Sequence, residues 1–379
     1  MSDLQPDRGA RGPGREERPS AALVLETNNL RGGDAGAVIH GMQRLLARLA
    51  AQTRALATLA EVVVTHDGLG PGARDRLERA AGTPVRFVEI RQGTGYYEAK
   101  NLGFEATTAE VVAFGDADCW PDEAWLERLL APFDDPEVEV VAGRTTYRDG
   151  ILGQAVTAID FLYFDPPDAP AATRNFYANN VAFRRRVFAG RRYEKVPGMY
   201  RGPCQVLALR LRREGVRVRF APDAHTVHRF PDGFRDLVRL RLYRGADTPK
   251  LVPYLAAAYV PEPLRPLAAV EPLVSLAALA VRFGFSARAL ALGATHPRAP
   301  LPPLGLAWRT ASLALMAAVS GLDAVGALAR ATGLASFGLD ERGDAESLSY
   351  LEDRDGLERG TAPGAPSGAA GAFAAAAGA

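Results

Sequence analysis

The sequence predicts an α/β fold, in which a largely parallel sheet is covered by helices on both faces and is followed by a helical appendage. Short apolar runs alternate with helix-like patterns over the first 115 residues. Apolar strands of this kind are typical of parallel sheets that are buried on both faces. Beyond Pro249 proline becomes frequent and the composition turns rich in alanine and leucine, which predicts the appendage.

The predicted strands of the parallel sheet are four short apolar runs with helix patterns between them. The strands are 22–25, 61–65, 85–90 and 111–115, and the helices are 37–59, 74–81 and 97–107. Asp67-Gly68 closes the second strand in a turn. In such sheets ligands bind beyond the carboxyl ends of the strands, so we expect the chemistry in the loops after Leu25, Thr65 and Gly115.

The second half of the chain changes character at about residue 150. Residues 151–250 are polar, aromatic and rich in arginine, with a predicted helix at 205–214 and a predicted strand at 216–220. We divide the chain into a disordered N-terminus, an α/β domain, a helical appendage and a disordered tail, which are residues 1–20, 21–250, 251–340 and 341–379.

The bulk composition excludes several classes of protein. The 379 residues carry 45 Lys and Arg against 44 Asp and Glu, a near-balance that argues against a nucleic-acid partner. The two cysteines, Cys119 and Cys204, cannot form a disulfide framework and have no zinc-site spacing. The first 20 residues lack the apolar core of a secretory signal. We therefore expect a cytoplasmic protein.

Two apolar stretches in the appendage, 272–281 and 310–322, are bounded by charged residues. Each falls short of the roughly 20 residues that a helix needs to cross a bilayer. We therefore expect buried helices. The alternative is that they lie on a membrane surface, which would make the protein peripherally membrane-associated.

The segment Asp116-Ala117-Asp118 is the most informative motif, because it follows directly on the apolar strand 111–115. A turn at the strand end can bring both carboxylates round one cation. Hard oxygen ligands suit Mn²⁺ or Mg²⁺, which usually complete their coordination shell with substrate phosphates. The motif predicts a metal site, and the alternative is that the two carboxylates only cap a turn.

This segment resembles the metal-binding D-x-D of the family 2 glycosyltransferases, which have the GT-A fold, and other segments match that family in the same order. Residues 61–68 resemble its second strand and Asp-Asp-Gly-type turn, with His66 in place of the first acid. Residues 95–103 resemble its Gly-x-x-x-Ala-Arg-Asn-x-Gly segment, with Lys100 in place of arginine. Three further segments are similar to the family's base-binding loop, acceptor-side stretch and closing histidine segment: 23–29, 177–185 and 225–231.

The resemblance implies a nucleotide-sugar donor and places four residues around it. Thr27 and Asp67 would contact the nucleoside, Lys100 would approach the base or phosphates, and Asp116 would face the ribose or the metal. From the residues alone, Asp67 is also a good turn former next to glycine, and Lys100 could be a solvated helix lysine.

The resemblance also implies a metal site and a role for a basic helix. Asp118 would bind the metal that bridges the diphosphate, and His228 would be a third metal ligand beside Asp116 and Asp118. A hydrogen-bonded core histidine is the alternative for His228. In the arginine-rich run 234–245, Arg241 is expected to face the diphosphate, as could Arg235, Arg239 and Arg244, with a solvated helix face as the alternative.

The chain departs from the family where many inverting members carry Gly-Glu-Asp-x-x-Leu-x-x-Arg. Pro203 and Cys204 occupy the acidic places here, and a neutral thiol is a poor general base. Another acid could serve, the acceptor could arrive already ionised, or catalysis could be lost. Glu194 and Asp165 lie upstream, and the catalytic residue stays unassigned.

Other enzyme classes lack their motifs in this sequence. No G-x-G-x-x-G follows the first strand, and no G-x-x-x-x-G-K-[ST] occurs. We therefore expect a metal-dependent glycosyltransferase whose acceptor is unidentified, with a lipid phosphate or a cell-surface glycan precursor as options. The alternative is a catalytically inactive sugar-nucleotide-binding protein on the same fold.

Overall fold

The computed structural model describes residues 18–27, 35–147, 150–162, 171–199, 202–231, 233–293 and 305–334, and every structural statement below refers to these ranges. The tail 341–379, predicted to be disordered, lies outside them, as does most of the N-terminal segment 1–20.

Nine strands form a single sheet. They are β1 Ala21–Glu26, β2 Glu61–His66, β3 Arg86–Glu89, β4 Val111–Asp116, β5 Cys119–Pro121, β6 Val140–Thr146, β7 Ala172–Thr173, β8 Val181–Arg184 and β9 Val218–His228. Their order is β3-β2-β1-β4-β8-β6-β9-β5, with β7 paired to β9. The first four strands are parallel, as predicted, whereas β8 runs antiparallel to both β4 and β6.

Eleven α-helices accompany the sheet in the described residues. They are α1 Ala35–Ala50, α2 Pro71–Ala81, α3 Tyr96–Glu105, α4 Trp125–Leu130, α5 Ile151–Phe161, α6 Arg185–Ala189, α7 Pro203–Arg213, α8 Phe234–Ala246, α9 Thr248–Tyr259, α10 Leu273–Leu292 and α11 Leu306–Ala331. Short 3₁₀ segments occur at Leu56–Thr58, Ala131–Asp134 and Glu262–Ala269.

Helices cover both faces of the sheet because successive side chains of a strand point to opposite faces. Leu23 and Leu25 of β1 pack into a core with α1 and α2, whereas Ala22 and Val24 pack into a second core with α3 and α7. Gly103 of α3 crosses β1 where a Cβ atom would overlap the Val24 side chain, so glycine brings this helix close to the sheet. The predicted α/β architecture with two covered faces is confirmed.

Two predicted element ends are wrong for reasons of tertiary structure. Helix α1 ends at Ala50 and not at 59, because Gln52 donates to the carbonyl of Asp122 over 2.8 Å and draws the chain away from the helix. Strand β9 continues to His228, well beyond the predicted end at 220. It passes Pro222 by a register shift opposite Gly143 and Arg144 of β6.

The C-terminal helices are longer than the sequence suggested. Helix α10 has 20 residues and α11 has 26, and both are long and apolar enough to cross a membrane by length and composition. Only 28% and 33% of the most apolar 18-residue stretch of α10 and α11 is buried, so the expectation of buried helices is wrong. Three of the four charges that bounded the apolar runs, Arg282, Arg309 and Asp323, lie inside the helices, and Arg282 of α10 pairs with the fully buried Asp323 of α11.

Helix α11 packs against α5 and α8 of the α/β body. A Cβ atom at Gly245 of α8 would overlap the carbonyl of Asp323, and one at Gly326 of α11 would overlap the carbonyl of Leu242. The two helix backbones therefore touch. These contacts link the two predicted units, and the exact domain boundaries stay predictions.

Candidate functional site

The carboxyl ends of three parallel strands meet at one edge of the sheet. Glu26, the last residue of β1, is opposite Thr65 of β2 on one side and Asp116 of β4 on the other. Thr27 and Asp67 follow directly on β1 and β2, and both are buried. The three loops that were predicted to carry the chemistry therefore begin side by side, at the edge where open α/β sheets bind ligands.

Asp116 is held by two groups from helix α3. The Lys100 ammonium donates to Asp116 Oδ1 over 2.5 Å and to the Gly115 carbonyl over 2.9 Å, and its side chain has no exposed surface. The Tyr96 hydroxyl donates to Asp116 Oδ2 over 2.6 Å. Burial and the Asp116 charge raise the pKa of Tyr96 well above its ordinary value, so this hydroxyl stays a proton donor. Lys100 is therefore not a solvated helix lysine.

Asp118 faces His228 across the pairing of β5 and β9. His228 Nε2 lies 3.6 Å from Asp118 Oδ2, while Nδ1 lies 2.7 Å from the carbonyl of Arg229. A carbonyl can only accept, so Nδ1 carries a proton, and in the neutral ring the Nε2 lone pair faces the carboxylate. Two electron-pair donors aimed at each other fit a cation between them, and the Nδ1 contact is the type of hydrogen bond that orients histidine ligands.

Asp116, Asp118, Cys119 and His228 form a group of possible metal-ligand atoms that lie within 4.8 Å of one another. Burial and the two neighbouring carboxylates raise the pKa of the Cys119 thiol well above its ordinary value. A protonated thiol is a poor ligand, and two carboxylates with an imidazole suit Mn²⁺ or Mg²⁺ better than a soft metal. The structure thus brings the three predicted ligands together and adds Cys119, which the sequence analysis did not select.

A second carboxylate–histidine pair lies next to the first, between the residue that follows β5 and a residue of β9. Asp122 Oδ2 is 2.8 Å from His225 Nδ1, and His225 Nε2 is 2.8 Å from the Thr146 hydroxyl. Burial opposes ionisation of Asp122, but the hydrogen bond and charge of His225 outweigh it and lower the pKa of this carboxyl. Both nitrogens of His225 have protein partners, so this pair is structural.

The residues predicted for the nucleoside occupy well-formed turns. The Thr27 hydroxyl donates to the Thr65 carbonyl over 2.8 Å. His66 Nδ1 lies 3.2 Å from the amide nitrogen of Gly68 and 3.0 Å from that of Leu69, and it accepts from both. A carboxylate at position 66 would accept the same two hydrogen bonds, so the histidine preserves the turn that presents Asp67.

Arg241 does not lie where the sequence placed it. Its side chain has no exposed surface, and its guanidinium donates to Asp160 Oδ1 over 2.6 Å and to both oxygens of Asp323, with an Nε–Oδ1 distance of 2.8 Å. Burial alone would raise the pKa of Asp160, but the charges of Arg241 and Arg244 outweigh it and hold this pKa far below its usual range. With its donors directed at two aspartates in the protein interior, Arg241 is not positioned to bind a diphosphate.

This buried cluster lies behind His228. The Tyr147 hydroxyl donates to Asp160 over 3.1 Å, and the Tyr147 ring meets His228 edge-on with 5.6 Å between ring centres. Phe161 and Phe230 pack on the same tyrosine. Sequence reasoning missed Tyr147 and Tyr96, because neither a lone tyrosine nor its distant partner carries a recognisable spacing.

Pro203 and Cys204 begin helix α7 at the position where the family has its acidic base. Cys204 is buried, and Tyr97 Oη lies 3.4 Å from its Sγ. Glu194 is an exposed residue that pairs with Arg210 on the protein surface, which gives it a structural role. Asp165 lies outside the described residues.

The chain is similar in sequence to several known proteins. Residues 39–196 match the family described as glycosyl transferase family 2. The pre-mycofactocin glycosyltransferase of Mycobacterium tuberculosis is 30% identical over 220 residues, which are 55% of this chain and 45% of the relative. Glycosyltransferase AglE of Haloferax volcanii is 33% identical over 95 residues, 24% of this chain and 31% of the relative. The chain thus spans less than half the length of the relatives it matches.

Among solved structures, a mannosyltransferase, PcManGT from Pyrobaculum calidifontis in complex with GDP-Man and Mn²⁺, has a similar fold. The TM-score is 0.52 at 22% identity, over 84% of this chain and 89% of that chain. The sheet and the carboxylates at the end of β4 define a GT-A domain. Residues 39–196 of this chain are similar to glycosyl transferase family 2, the family that the sequence motifs indicated.

Proposed function

We propose that this chain is a metal-dependent glycosyltransferase that moves a sugar from a nucleoside-diphosphate donor to an acceptor. The observation that carries the proposal is the facing pair of Asp118 Oδ2 and His228 Nε2, 3.6 Å apart, next to Asp116 in a family 2 domain. The expected cytoplasmic location stays a prediction.

The roles of the residues follow from their contacts. Lys100 and Tyr96 occupy both oxygens of Asp116 and fix its orientation, which leaves further lone pairs of the carboxylate for a ligand. Asp118 and His228 would hold Mn²⁺ or Mg²⁺, which supplies positive charge for the diphosphate leaving group. Thr27 and Asp67, at the ends of neighbouring strands, are proposed to contact the nucleoside.

The acceptor is proposed to be ionised before it reacts. An anionic oxygen of the acceptor forms a bond to the anomeric carbon, while the bond from that carbon to the donor phosphate oxygen breaks and its electron pair leaves with the nucleoside diphosphate. No proton has to be removed from such an acceptor. A buried thiol at position 204 is then compatible with catalysis, whereas a neutral hydroxyl acceptor would need a base.

Calorimetric titration with GDP, UDP and dTDP, with and without Mn²⁺, tests the donor site. Asp118→Ala is expected to weaken metal-dependent binding at least about 100-fold, since removing a ligand forfeits a share of the several kcal/mol that a metal gives to phosphate binding. Asp122→Asn, which alters the neighbouring carboxylate of the structural pair, should bind like the native protein. If the nucleotides bound as tightly in EDTA as in the presence of Mn²⁺, the metal role would be refuted.

The rival function, an inactive sugar-nucleotide-binding protein, is favoured by Cys204 in the place of the base. It predicts the same nucleotide binding but no consumption of donor. Release of nucleoside diphosphate from a sugar nucleotide during prolonged incubation, abolished in Asp118→Ala, would exclude it.

We further propose that the C-terminal helices contact a lipid surface. Among the described residues from 264 to 293 and from 305 to 334, thirteen large apolar side chains are exposed: Leu264, Leu267, Val270, Leu273, Val281, Phe285, Leu306, Trp308, Leu313, Leu315, Val325, Leu328 and Leu334. Exposed apolar side chains on helices that are long and apolar enough to cross a membrane are typical of a surface that contacts lipid. The protein should float with anionic vesicles and leave native membranes in carbonate. Release that requires detergent would contradict peripheral attachment.

A further inference from the structure

Tyr147 is the cross-strand neighbour of His228, although the sequence analysis did not select it. Strands β6 and β9 run parallel, and Thr146, the last residue of β6, is paired with Val227. The residues that come next on the two chains are Tyr147 and His228. On the other side of β9 lies β5, which follows directly on Asp118. The register therefore places the imidazole between Asp118 and the tyrosine.

The plane of the His228 ring depends on more than one contact. Its Nδ1 lies 2.7 Å from the carbonyl oxygen of Arg229, and a single hydrogen bond fixes only one atom of the ring. The Tyr147 ring meets the imidazole edge-on, with 5.6 Å between centres and 77° between planes, and the Phe161 ring lies at 6.4 Å. Aromatic rings favour this edge-to-face geometry, so the tyrosine restricts rotation of the imidazole.

Tyr147 is itself attached to helix α5 at both ends. Its backbone N–H donates to the Thr157 hydroxyl over 2.9 Å, and its own hydroxyl donates to Asp160 Oδ2 over 3.1 Å. Thr157 and Asp160 are three residues apart on α5 and therefore share one face of the helix. The tyrosine ring, which is 4% exposed, has little freedom to move away from His228.

The acceptor of the tyrosine hydroxyl is held by two cations. Arg241 donates to Asp160 Oδ1 over 2.6 Å, and Arg244 pairs with Oδ2. Arg244 also donates to the Tyr147 hydroxyl over 3.2 Å. Hydrogen bonds between charged groups are the strong ones, so Asp160 is a fixed anchor. Because two guanidinium groups hold it, a conservative change in one of them leaves the anchor in place.

We propose that Tyr147 is a positioning residue for the metal site, and that it holds the His228 ring in the orientation in which Nε2 faces Asp118. The inference rests on the proposed function, because it concerns the same metal site. Tyr147 does not bind the metal. A ligand that is already oriented loses less conformational freedom when a cation binds, so a fixed imidazole raises the affinity for the metal.

Titration of the full-length protein with Mn²⁺, followed by the EPR signal of free Mn²⁺, measures this affinity with and without GDP. Tyr147→Leu removes the ring that contacts His228 and should weaken Mn²⁺ binding about tenfold, the lower end of the range for residues that support metal ligands. Tyr147→Phe keeps the ring and loses only the hydroxyl, so it should restore most of the affinity.

A matched variant separates positioning from general loss of packing. Leu290→Ala removes a buried side chain from the same apolar cluster, on α10. It should lower the stability of the fold and leave the Mn²⁺ affinity of the folded protein unchanged. Chemical denaturation of every variant measures the stability. If Tyr147→Leu fails to fold, Tyr147→Met, whose flexible chain fills more of the space, takes its place.

Nitrogen NMR of the metal-free protein, at a pH where the imidazole is neutral, measures the His228 ring directly. The native protein should show a single tautomer with the proton on Nδ1, because Nδ1 faces a carbonyl oxygen. Tyr147→Leu should give signals averaged between the two tautomers. His228→Gln identifies these signals among those of the five histidines.

The outcomes separate this inference from the proposed function. Native Mn²⁺ affinity in Tyr147→Leu overturns the positioning role, as does a loss in Leu290→Ala or in Tyr147→Phe that equals the loss in Tyr147→Leu. If the native protein does not bind Mn²⁺, yet its single His228 tautomer is lost in Tyr147→Leu, the proposed function is refuted and Tyr147 remains the residue that orients His228.

Discussion

Two fully buried cations, Lys100 and Arg241, each bind an aspartate, yet they do different things. Lys100 belongs to a pair at the open edge of the sheet, where Asp116 stands beside further ligand atoms. Arg241 lies inside a helical core between Asp160 and Asp323, which accept its hydrogen bonds from both sides. Both were expected at the nucleotide. A buried ion pair therefore does not by itself identify a binding site, and the decisive property is whether its carboxylate lies next to other donors that face a common point.

The largest expected effect is on the helical core. Asp323→Ala leaves Arg241 without one of its two carboxylates, and an uncompensated buried charge costs about 3–5 kcal/mol of folding free energy. Chemical denaturation should show a loss on this scale. As a control, Glu105→Ala, in the surface pair with Arg192, should cost no more than about 1 kcal/mol. A small change in Asp323→Ala would mean that the cluster does not hold the helices together.

A reciprocal exchange of the two cations sharpens the comparison. Arg241→Lys loses the two-pronged contact with Asp323 and should reduce stability by about 1–3 kcal/mol, while the folded protein binds nucleotide normally. Lys100→Arg forces a larger group into a closed space, costs about 1–3 kcal/mol and should displace Asp116, so nucleotide affinity falls as well. Denaturation and calorimetry on the same two variants measure both quantities. Nucleotide affinity that falls in Arg241→Lys alone would reverse the assignment of the two clusters.

The smallest effect is expected at Cys204, a buried thiol at the start of α7. Cys204→Ser nearly keeps the shape and still accepts from the Tyr97 hydroxyl, so donor turnover should stay within a few-fold of the native rate. A general base contributes about 10²–10⁴-fold, and a loss on that scale would show that the thiol takes part in the chemistry. Tyr97→Phe serves as the control for the loss of the hydrogen bond alone.

The order of elements in the first half of the fold was predictable from local pattern. Apolar runs such as 111–115 have no polar face, which only a doubly covered sheet can accommodate. The antiparallel strand β8 was not predictable, since pairing between Val112 and Phe183 depends on contacts far apart in sequence. The length of the C-terminal helices was missed because Arg282 and Asp323 were each taken to end an apolar segment. In the structure the two side chains form an ion pair, so both can lie inside apolar helices.

The candidate site was predictable where residues follow one strand and unpredictable where partners are distant. Asp116 and Asp118 were predicted from their position at the end of β4, and His228 was predicted from the family resemblance. In the structure His228 Nε2 lies 3.6 Å from Asp118 Oδ2. Arg241 was misplaced because an amphipathic arginine pattern does not reveal an aspartate 82 residues later. Asp323 has to be brought to Arg241 by folding, and no local spacing records that.

Gly245 and Gly326 determine how closely the backbones of α8 and α11 approach each other. Each lacks the side chain that would otherwise hold the two backbones apart. An alanine at either position would act as a spacer and move the Asp323 carboxylate away from the guanidinium without altering a single charge. The pairing of charges in this core therefore depends on glycine at both positions, and selection for the ion cluster would also act on these two non-polar residues.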